Sequence, residues 1–329
     1  MGAFPLFETT GDGFSPRAIV QAAEGEFLAV DGFNQVIWKI TEDGRSIYGG
    51  RGGGADRYGE PRGGYRDGPL RDMRMNDPWD IVPYLEGYAV SDRGNHVVRY
   101  ISSKGSMTAA GTGKGGYEDN LAAKAVFGSP TGLAVDEGGV LYIADTDNDV
   151  VRSLSPSGKV DTYLRGLSAP TGLCYHQGAL YVADTGNNRI VKVVDGAVIW
   201  TAGTGEEGFR DGPVSQAAFS GPQRITAAED GTIYVADTGN SAVRKILEDS
   251  VTTLPSAEAD RPGLTLASPE GMLVSDGSLL VCDGFLKKYL RCLDRGGRKS
   301  CDKGGCEGIS AMGSGGRYIY HRGRPWTFL

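Results

Sequence analysis

Three histidines are the first candidates for catalysis, because zinc enzymes gather several imidazole or carboxylate ligands at one point. His96 lies beside a predicted tight turn, His176 between two predicted strands at their opposite end, and His321 near the end of the sequence. These positions are not expected to converge. We therefore predict no catalytic residue and no resident metal ligand among them.

The cysteines form neither a metal-binding nor a disulfide pattern. Four of the five fall late in the chain, at Cys282, Cys292, Cys301 and Cys306. Their spacing lacks the CxxC pairs of zinc sites, and an odd total does not make a closed disulfide set. We predict thiols packed in a core and prefer a cytoplasmic, reducing compartment, with a Cys301–Cys306 disulfide as the alternative for an exported protein.

Composition excludes several classes of protein. The 52 glycines and 15 prolines without a three-residue period indicate many tight turns, not collagen. A formal net charge of −7 disfavours a broad phosphate-binding face, so nucleic acid is a less favoured partner. Apolar runs stay short of the roughly 20 residues of a membrane helix, and the first residues do not resemble a signal peptide. We expect a soluble protein without membrane insertion.

One sequence unit recurs along the chain and predicts its architecture. LYIADTDNDVVRSL at 141–154, YVADTGNNRIVKVV at 181–194 and IYVADTGNSAVRKIL at 233–247 are copies, and weaker copies begin near positions 29, 89 and 280. A segment of the form P-x-G-[LM] precedes each copy, and a turn with a further apolar run follows it. Short runs rich in Val, Ile and Tyr predict four antiparallel strands per unit. Radial packing of such units makes a β-propeller.

The copies predict an all-β protein in which residues 1–329 form a single propeller domain of seven blades. Cys306-Glu307-Gly308-Ile309 and RYIYH at 317–321 indicate the seventh unit, and PLFETT at 5–10 would supply its fourth strand. The N-terminal strand would then join the C-terminal blade and close the ring, which hides both edges. Six blades are the alternative. The predicted blades span residues 16–77, 78–129, 130–169, 170–221, 222–268, 269–305, and 306–329 together with 1–15.

The repeated pattern resembles the NHL repeat, whose form is P-x-G-[LIV]-A-V-D followed by [LI]-Y-V-A-D-[ST]-x-N-x-R-[IV]. Residues 130–154, 170–194 and 222–246 match it well. The first, sixth and seventh units depart from it, with Phe33 and Phe285 in the turn and His321 in place of the aspartate. The resemblance implies a propeller, usually of six blades, that acts as a platform for a protein partner.

The polar residues that recur in every unit are interpreted as structural. A carboxylate at a strand end can accept hydrogen bonds from backbone amides of the following turn. The recurring aspartates are Asp92, Asp145, Asp184 and Asp237. A cation also recurs on the third strand, where we expect it to pair with a neighbouring blade or to extend into solvent, at Arg99, Arg152, Lys192 and Arg244.

Function is expected where the blades differ, at the channel mouth that the P-x-G segments and the turns share. The candidate binding residues there are Arg17, Trp79, Asp80, Thr131, Thr171, Gln223, Arg224, Glu270 and Glu307. Glu270 and Glu307 are expected on neighbouring blades next to Arg17, and we interpret them first as part of a rim that is solvated or whose charges pair with one another, with no cofactor. The alternative is a small polar pocket or cation site at the channel mouth, where calcium is the ion to consider.

Three insertions share one form, GGYRDGPL at 63–70, GGYEDNLA at 115–122 and EGFRDGPV at 207–214. Their aromatic residues either fix the loops to the blades or present an interaction surface. The candidate surface residues are Arg62, Tyr65, Arg66, Tyr117, Phe209 and Arg210.

The preferred function is a non-catalytic, monomeric scaffold that binds a protein partner through the loop-rich face around the channel. The alternative is a metal-assisted hydrolase or lyase, lactonase-like, with a small-molecule site at the channel mouth. A second alternative is an RNA-binding NHL domain.

Overall fold

The computed structural model describes residues 14–51, 54–55, 61–254, 266–284 and 288–293, the last range as backbone only. In this part of the chain the regular structure is β-strand and single-turn 3₁₀ helix, and none of the helices is long and apolar enough to cross a membrane. The strands are β1 (Pro16–Ala23), β2 (Glu26–Asp31), β3 (Val36–Thr41), β4 (Gly44–Gly49), β5 (Pro78–Tyr84), β6 (Gly87–Asp92), β7 (Val97–Ser102), β8 (Gly105–Ala110), β9 (Asn120–Leu121), β10 (Pro130–Val135), β11 (Leu141–Asp145), β12 (Val150–Leu154), β13 (Lys159–Leu164), β14 (Leu173–His176), β15 (Ala179–Asp184), β16 (Arg189–Val194), β17 (Ala197–Ala202), β18 (Gly212–Pro213), β19 (Pro222–Ala227), β20 (Ile233–Asp237), β21 (Ala242–Leu247), β22 (Ser250–Thr253), β23 (Pro269–Ser275), β24 (Ser278–Asp283) and β25 (Lys288–Leu293). The 3₁₀ turns are Arg93–Asn95, Thr146–Asn148, Thr185–Asn187 and Thr238–Asn240.

The strands form separate antiparallel sheets that are the blades of a β-propeller. Blade 1 is β1–β4, blade 2 is β5–β8, blade 4 is β14–β17, and blade 6 is β23–β25 within the described residues. Blade 3 is β10–β13 with β9 added outside β13, and blade 5 is β19–β22 with β18 added outside β22. Strands pair in chain order, and the first strand of each blade is innermost. The predicted all-β propeller architecture is confirmed.

Each blade is buried on both faces, as its second strand shows. Leu180 and Val182 of β15 pack in a hydrophobic cluster with blade 3, whereas Tyr181 and Ala183 pack in a cluster with blade 5. Successive side chains of a strand point to opposite faces, so a strand between two sheets needs apolar residues at every position. This explains why the LYVA segments are continuously apolar.

Tight turns connect the strands of a blade. Asp195 and Gly196 join β16 to β17 with φ angles of 48° and 78°. Positive φ at both central positions is the type I′ pattern, which suits Asp-Gly and matches the right-handed twist of a hairpin.

The prediction of seven blades is wrong, because the innermost strands of blades 6 and 1 pack directly on each other. Ile19 of β1 contacts Cys282 of β24, and Ser275 Oγ donates a hydrogen bond of 2.8 Å to Gln21 Oε1. A further blade has no place between these strands. The ranges 1–13 and 306–329, which were assigned to that blade, lie outside the described residues, so closure by the N-terminal strand stays a prediction.

The three insertions belong with the blade that follows them, not with the blade that precedes them. Asn120–Leu121 pairs with β13 of blade 3, and Gly212–Pro213 pairs with β22 of blade 5. Gly68 forms the corresponding bridge with Ser106 of blade 2. Each insertion therefore extends or covers the outer edge of the next sheet.

Candidate functional site

The aspartate that ends the second strand organises the turn on the loop-rich face of the propeller. In blade 3, Asp145 Oδ1 accepts a 2.5 Å hydrogen bond from the Gly128 amide, and Oδ2 accepts one of 2.9 Å from Asn148 Nδ2. The same contacts recur at Asp92, Asp184 and Asp237. These carboxylates satisfy backbone amides and turn side chains, as the sequence predicted.

Burial changes the acidity of these carboxylates. Desolvation raises the pKa of Asp92 to about 6, against the lowering effect of the Asn76 amide, Asn95 and Arg99. Burial likewise raises the pKa of Asp145 and Asp237. Repetition of one environment in several blades indicates a structural role, because catalysis requires different groups at one point.

The third-strand arginines do not extend into solvent, since Arg99, Arg152 and Arg244 are completely buried. Arg152 Nη1 lies 2.8 Å from Asp145 Oδ2 of its own blade, and Nη2 lies 2.6 Å from Asp119 of the preceding insertion. Its guanidinium also donates to the carbonyls of Val126 and Glu118.

The third-strand cation of blade 4 was assigned to the wrong position. Lys192 pairs with Tyr181 in the sheet, one place beyond the arginine position, which Val191 occupies. Arg189 instead supplies the cation, with Nε 2.6 Å from Asp184 Oδ2.

The aromatic residue of each insertion covers one buried guanidinium. The ring centroids of Tyr65, Tyr117 and Phe209 lie 5.3, 4.8 and 5.0 Å from the guanidinium carbons of Arg99, Arg152 and Arg244 respectively. The aspartate two residues after each ring binds the same arginine. Arginine, aromatic ring and aspartate thus form one unit that fixes the insertion to the blade.

The insertion aspartate differs electrostatically from the buried one. Burial acts to raise the pKa of Asp211, but hydrogen bonds from Arg244 and Thr253 outweigh it, so the pKa lies below its usual value. The Asp211 side chain remains partly exposed. The other candidate residues of the insertions lie at the surface, where Arg62 and Arg66 are exposed. Arg210 Nε donates a 2.5 Å hydrogen bond to the Gln216 carbonyl.

One half of the channel mouth is lined by paired hydroxyl groups. Thr131 and Thr171 contact the hydroxyls of Thr146 and Thr185 at 2.6 Å. These turn threonines donate to the proline carbonyl of the next blade, and Thr238 does the same at 2.7 Å. In this half the predicted mouth residues connect adjacent blades.

The other half of the mouth is charged and aromatic. Arg17 forms an ion pair with Asp77, which also accepts from Arg93 Nη1 at 2.8 Å. Both guanidinium carbons lie within 5 Å of the Trp79 ring centroid, at 4.6 and 4.9 Å. Glu270 Oε2 is farther away, 3.8 Å from Arg17 Nε. Burial raises the pKa of Glu270, and Arg17 opposes that shift.

Two glycines make room for this charged half. Gly32 and Gly284 stand where other blades have the turn threonine. A Cβ at Gly32 would lie 2.7 Å from Arg17 Nη1, and one at Gly284 would collide with the Glu270 carboxylate. The predicted approach of Arg17 and Glu270 is therefore observed, whereas Glu307 lies outside the described residues.

Asp80 and Arg224 lie in the channel and not at its rim. Both are buried, and Arg224 Nη2 forms an ion pair with Asp80 Oδ1. Asp80 Oδ2 also accepts a 2.8 Å hydrogen bond from the Leu133 amide. Blades 2 and 5 are opposite each other in the order of innermost contacts, so this pair spans the channel. Gln223, the neighbour of Arg224, is half-buried and uses its carbonyl to bind Thr171.

Sequence reasoning missed Asp77 and Arg93, which complete the charged half. A signal for Arg93 was present, because it replaces the threonine that follows the repeated aspartate in three other blades. Asp77 carried a similar signal, because it directly precedes the proline of the P-x-G segment, where other blades have the small residues Ser129, Ala169 and Gly221.

The two described histidines do not converge. His96 Nδ1 accepts a 3.1 Å hydrogen bond from the Ser129 amide on the loop-rich face, whereas His176 ends β14 at the opposite face. His321 lies outside the described residues. Within the described ranges, no group of three or more histidine, cysteine, aspartate or glutamate side chains could hold a metal ion. Calcium at the mouth stays a prediction.

These observations define a β-propeller whose repeat is centred on a buried aspartate. The family model for the NHL repeat matches residues 127–149, 167–193 and 219–246, which contain the aspartate turns of blades 3, 4 and 5. Blades 3, 4 and 5 of this propeller therefore contain NHL repeats, and the predicted resemblance to the NHL-repeat family is confirmed.

Two curated relatives share part of the sequence. The chain is 30% identical over 205 residues to the Arabidopsis thaliana protein SUPPRESSOR OF QUENCHING 1, chloroplastic. The aligned region covers 52% of this chain and 19% of the plant protein. It is 46% identical over 68 residues to NHL repeat-containing protein 2 of Gallus gallus, covering 20% of this chain and 9% of that protein. The matches thus span at most about a fifth of these relatives.

Solved propellers share the fold at low sequence identity. Virginiamycin B lyase from Staphylococcus aureus has a TM-score of 0.59 at 13% identity, covering 87% of this chain and 96% of the lyase. An auxiliary nutrient binding protein from Bacteroides ovatus has a TM-score of 0.64 at 12% identity, covering 87% and 71%. At such identities the similarity shows the fold alone.

Proposed function

We propose that this propeller is a non-catalytic scaffold that binds a protein partner through its loop-rich face. One observation carries the proposal: the three insertions present aromatic rings that are exposed and yet held in place. Tyr65 is 50% exposed, Tyr117 42% and Phe209 59%. Exposed aromatic residues are the commonest anchors of protein interfaces.

The contacts that hold the three aromatic rings in place favour binding of a partner. Each ring lies on a buried guanidinium that is fixed by two carboxylates and by backbone carbonyls. A ring that is already immobile loses little conformational entropy when a partner covers it. The insertions thus combine attachment to the blade with presentation of a surface, which were the two alternatives in the sequence.

The polar groups at the mouth support a non-catalytic role. Arg17 and Arg93 both form ion pairs with Asp77, and the pair between Asp80 and Arg224 occupies the channel. Catalysis requires groups that converge on a substrate and remain available to it. The likeness to a lyase concerns the fold alone.

The charge distribution gives RNA binding little support. The arginines of the repeat units are committed to carboxylates, as Arg99, Arg152 and Arg244 show, and the whole chain carries a net charge of −7. A phosphate-binding face needs cations that can release counterions.

The test is site-specific photocrosslinking in the host cell. Phe209 is replaced by benzoylphenylalanine, which keeps an aromatic ring over Arg244. The control is the same substitution at Leu85, which is 77% exposed in the hairpin at the opposite face. We expect a discrete protein adduct from position 209 that is absent from position 85.

Nuclease treatment and a second position complete the experiment. The adduct should survive nuclease and should appear also from Tyr117. An adduct that disappears with nuclease would favour the RNA-binding alternative, and equal crosslinking from positions 85 and 209 would contradict the proposed face.

A further inference from the structure

Within the described residues, the outer edge of blade 4 lacks the cover that insertions give to blades 3 and 5. In blade 3, Asn120 and Leu121 pair with Val160 and Lys159 at the start of β13. In blade 5, Gly212 and Pro213 pair with the start of β22. In blade 4, β17 is the last strand of its sheet.

The exposure of one valine position shows how the outer strands of blades 3, 4 and 5 differ. Val160, Val251 and Val198 occupy the same place, opposite Leu154, Ile246 and Val193 of the third strands. Val160 and Val251 are completely buried, whereas Val198 is 47% exposed and the next residue, Ile199, is 57% exposed. The same valine is thus in the core of two blades and at the surface of a third.

The residues that bury this valine come from the insertion. Val160 lies in a hydrophobic cluster with Ala122 and Ala125, and Val251 lies in one with Val214 and Ala217. The connection before blade 4 is only residues 165–172, whereas those before blades 3 and 5 are 111–129 and 203–221. Blade 4 has lost the whole covering segment, and Val191 replaces the buried arginine that would hold it.

The exposed edge is ordered and apolar. The sequence of β17, Ala-Val-Ile-Trp-Thr-Ala, contains no charge and no proline. The preceding turn is fixed by a 3.0 Å hydrogen bond from the Gly196 amide to Tyr163 Oη. Natural edge strands are usually protected by charge, proline or a covering segment, so an open apolar edge indicates a place where another strand binds.

Blade 1 provides the contrast. Its sheet also has four strands in the part of the chain that the structure describes, but Arg45 occupies the position of Val198, opposite Ile40. The Arg45 guanidinium covers the rings of Phe14 and Trp38 at 4.6 and 4.7 Å. A charge protects that edge, and blade 4 has no equivalent.

We propose that β17 binds a short apolar segment of a partner polypeptide, which pairs antiparallel with the start of the strand in the place that the insertion takes in blades 3 and 5. The chain itself shows the occupant, since Asn120–Leu121 pair with β13 and the turn that follows brings Ala122 and Ala125 into the cluster of Val160. A second copy of β17 fits less well. The register shift between Lys192 and Val193 leaves Ile199 out of the pairing, so two copies cannot share a long straight edge. The proposal is independent of the loop-rich face.

The probe is the blocked peptide Asn-Leu-Ala-Ala-Lys-Ala, the sequence of residues 120–125, added to the full chain. Hydrogen exchange of residues 197–202 is followed by mass spectrometry. At a peptide concentration five times its Kd, exchange at bonded amides should slow about sixfold, because only the free fraction exchanges. Strand addition to a sheet edge is a known mode of peptide recognition.

Two variants and one altered peptide make the result specific. Val198→Lys should abolish the protection, whereas Ile47→Lys on the outer strand of blade 1 should leave it unchanged. A peptide with Lys in place of its Leu should not protect. Circular dichroism checks that both variants fold, which is expected because both side chains are about half exposed.

Two outcomes would overturn the proposal. One is unchanged exchange of residues 197–202 at millimolar peptide, the range expected for so short a segment. The other is protection that appears without peptide, rises with protein concentration and accompanies a doubled mass in solution, because the occupant would then be a second copy of the chain.

Discussion

Replacing Arg152 by methionine tests whether the buried ion pair and its insertion stabilise the fold as one unit. The substitution keeps an apolar stem of similar length and removes the guanidinium. Five hydrogen bonds are lost, two to Asp119, one to Asp145 and two to carbonyls. Asp145 then remains fully buried without its cation.

The expected magnitude follows from that burial. Removing one partner of a buried ion pair costs about 3–5 kcal/mol in the free energy of unfolding, because the other charge stays desolvated. At about 1.4 kcal/mol for each factor of ten, the unfolded population rises by roughly two to three and a half orders of magnitude. The matched control is Arg165→Met, whose guanidinium lies at the surface against Tyr117. An exposed contact of this kind is worth at most about 1 kcal/mol.

The assay is urea unfolding followed by circular dichroism, with hydrogen exchange of residues 115–126 as a local readout. We expect Arg152→Met to lower stability strongly and to accelerate exchange in the insertion, because the loop loses its anchor. If Arg152→Met stays within about 1 kcal/mol of Arg165→Met, apolar packing of the insertion suffices and the electrostatic reasoning is refuted.

Three further predictions concern the channel and the core. Arg224→Met should lower the free energy of unfolding by about 3–5 kcal/mol, because it leaves Asp80 buried without its cation. The double variant with Asp80→Asn should lose less stability than the sum of the two single variants. Strict additivity in urea titrations would show that the two residues do not interact. Cys282 should resist iodoacetamide at pH 8 in the native protein, because burial raises the pKa of its thiol from 9.0 to about 12 and lowers the thiolate fraction about a thousandfold. The prediction is wrong if peptide mapping finds Cys282 alkylated as fast as in the urea-unfolded protein. Gly172→Ala should lower the melting temperature by several degrees, because its Cβ would lie 2.5 Å from the Gln223 carbonyl oxygen, whereas Gly178→Ala, with open space around it, bears only backbone strain and should change it less.

The sequence predicted the repeating parts of the fold well. The aspartate and the turn depend mainly on contacts within one unit, and the apolar second strand lies between two sheets in the same way in each blade, so each copy displays the same signal. The number of blades depends instead on how innermost strands pack around the ring. Similarity between Glu307 and Glu270 segments suggested another blade, although the contact of β1 with β23 leaves no place for one.

The buried arginines show what a single unit does not reveal. Arg152 finds Asp119 in a connection 33 residues earlier, so its environment cannot be inferred from its own strand. A comparison among units contained the answer, because arginine stands seven residues after the aspartate only in the three described blades that follow an insertion. In blades 1 and 4 the same position holds Trp38 and Val191.

The charged residues of the channel were predicted as a set but not as a pair. Asp80 and Arg224 both replace the glycine of the P-x-G segment, and they are 144 residues apart. Their complementary charge was visible, whereas their meeting depends on ring size, which places blades 2 and 5 face to face.

The ion pair between Asp80 and Arg224 also helps to hold the propeller closed. A ring made from a linear chain has one seam, here between blades 6 and 1, where the start of the protein meets its later part. Because the Asp80–Arg224 ion pair connects opposite blades, separation of blades 6 and 1 would not by itself let the propeller open. The inner wall of the propeller is thus held both by contacts between neighbouring blades and by one ion pair between opposite blades.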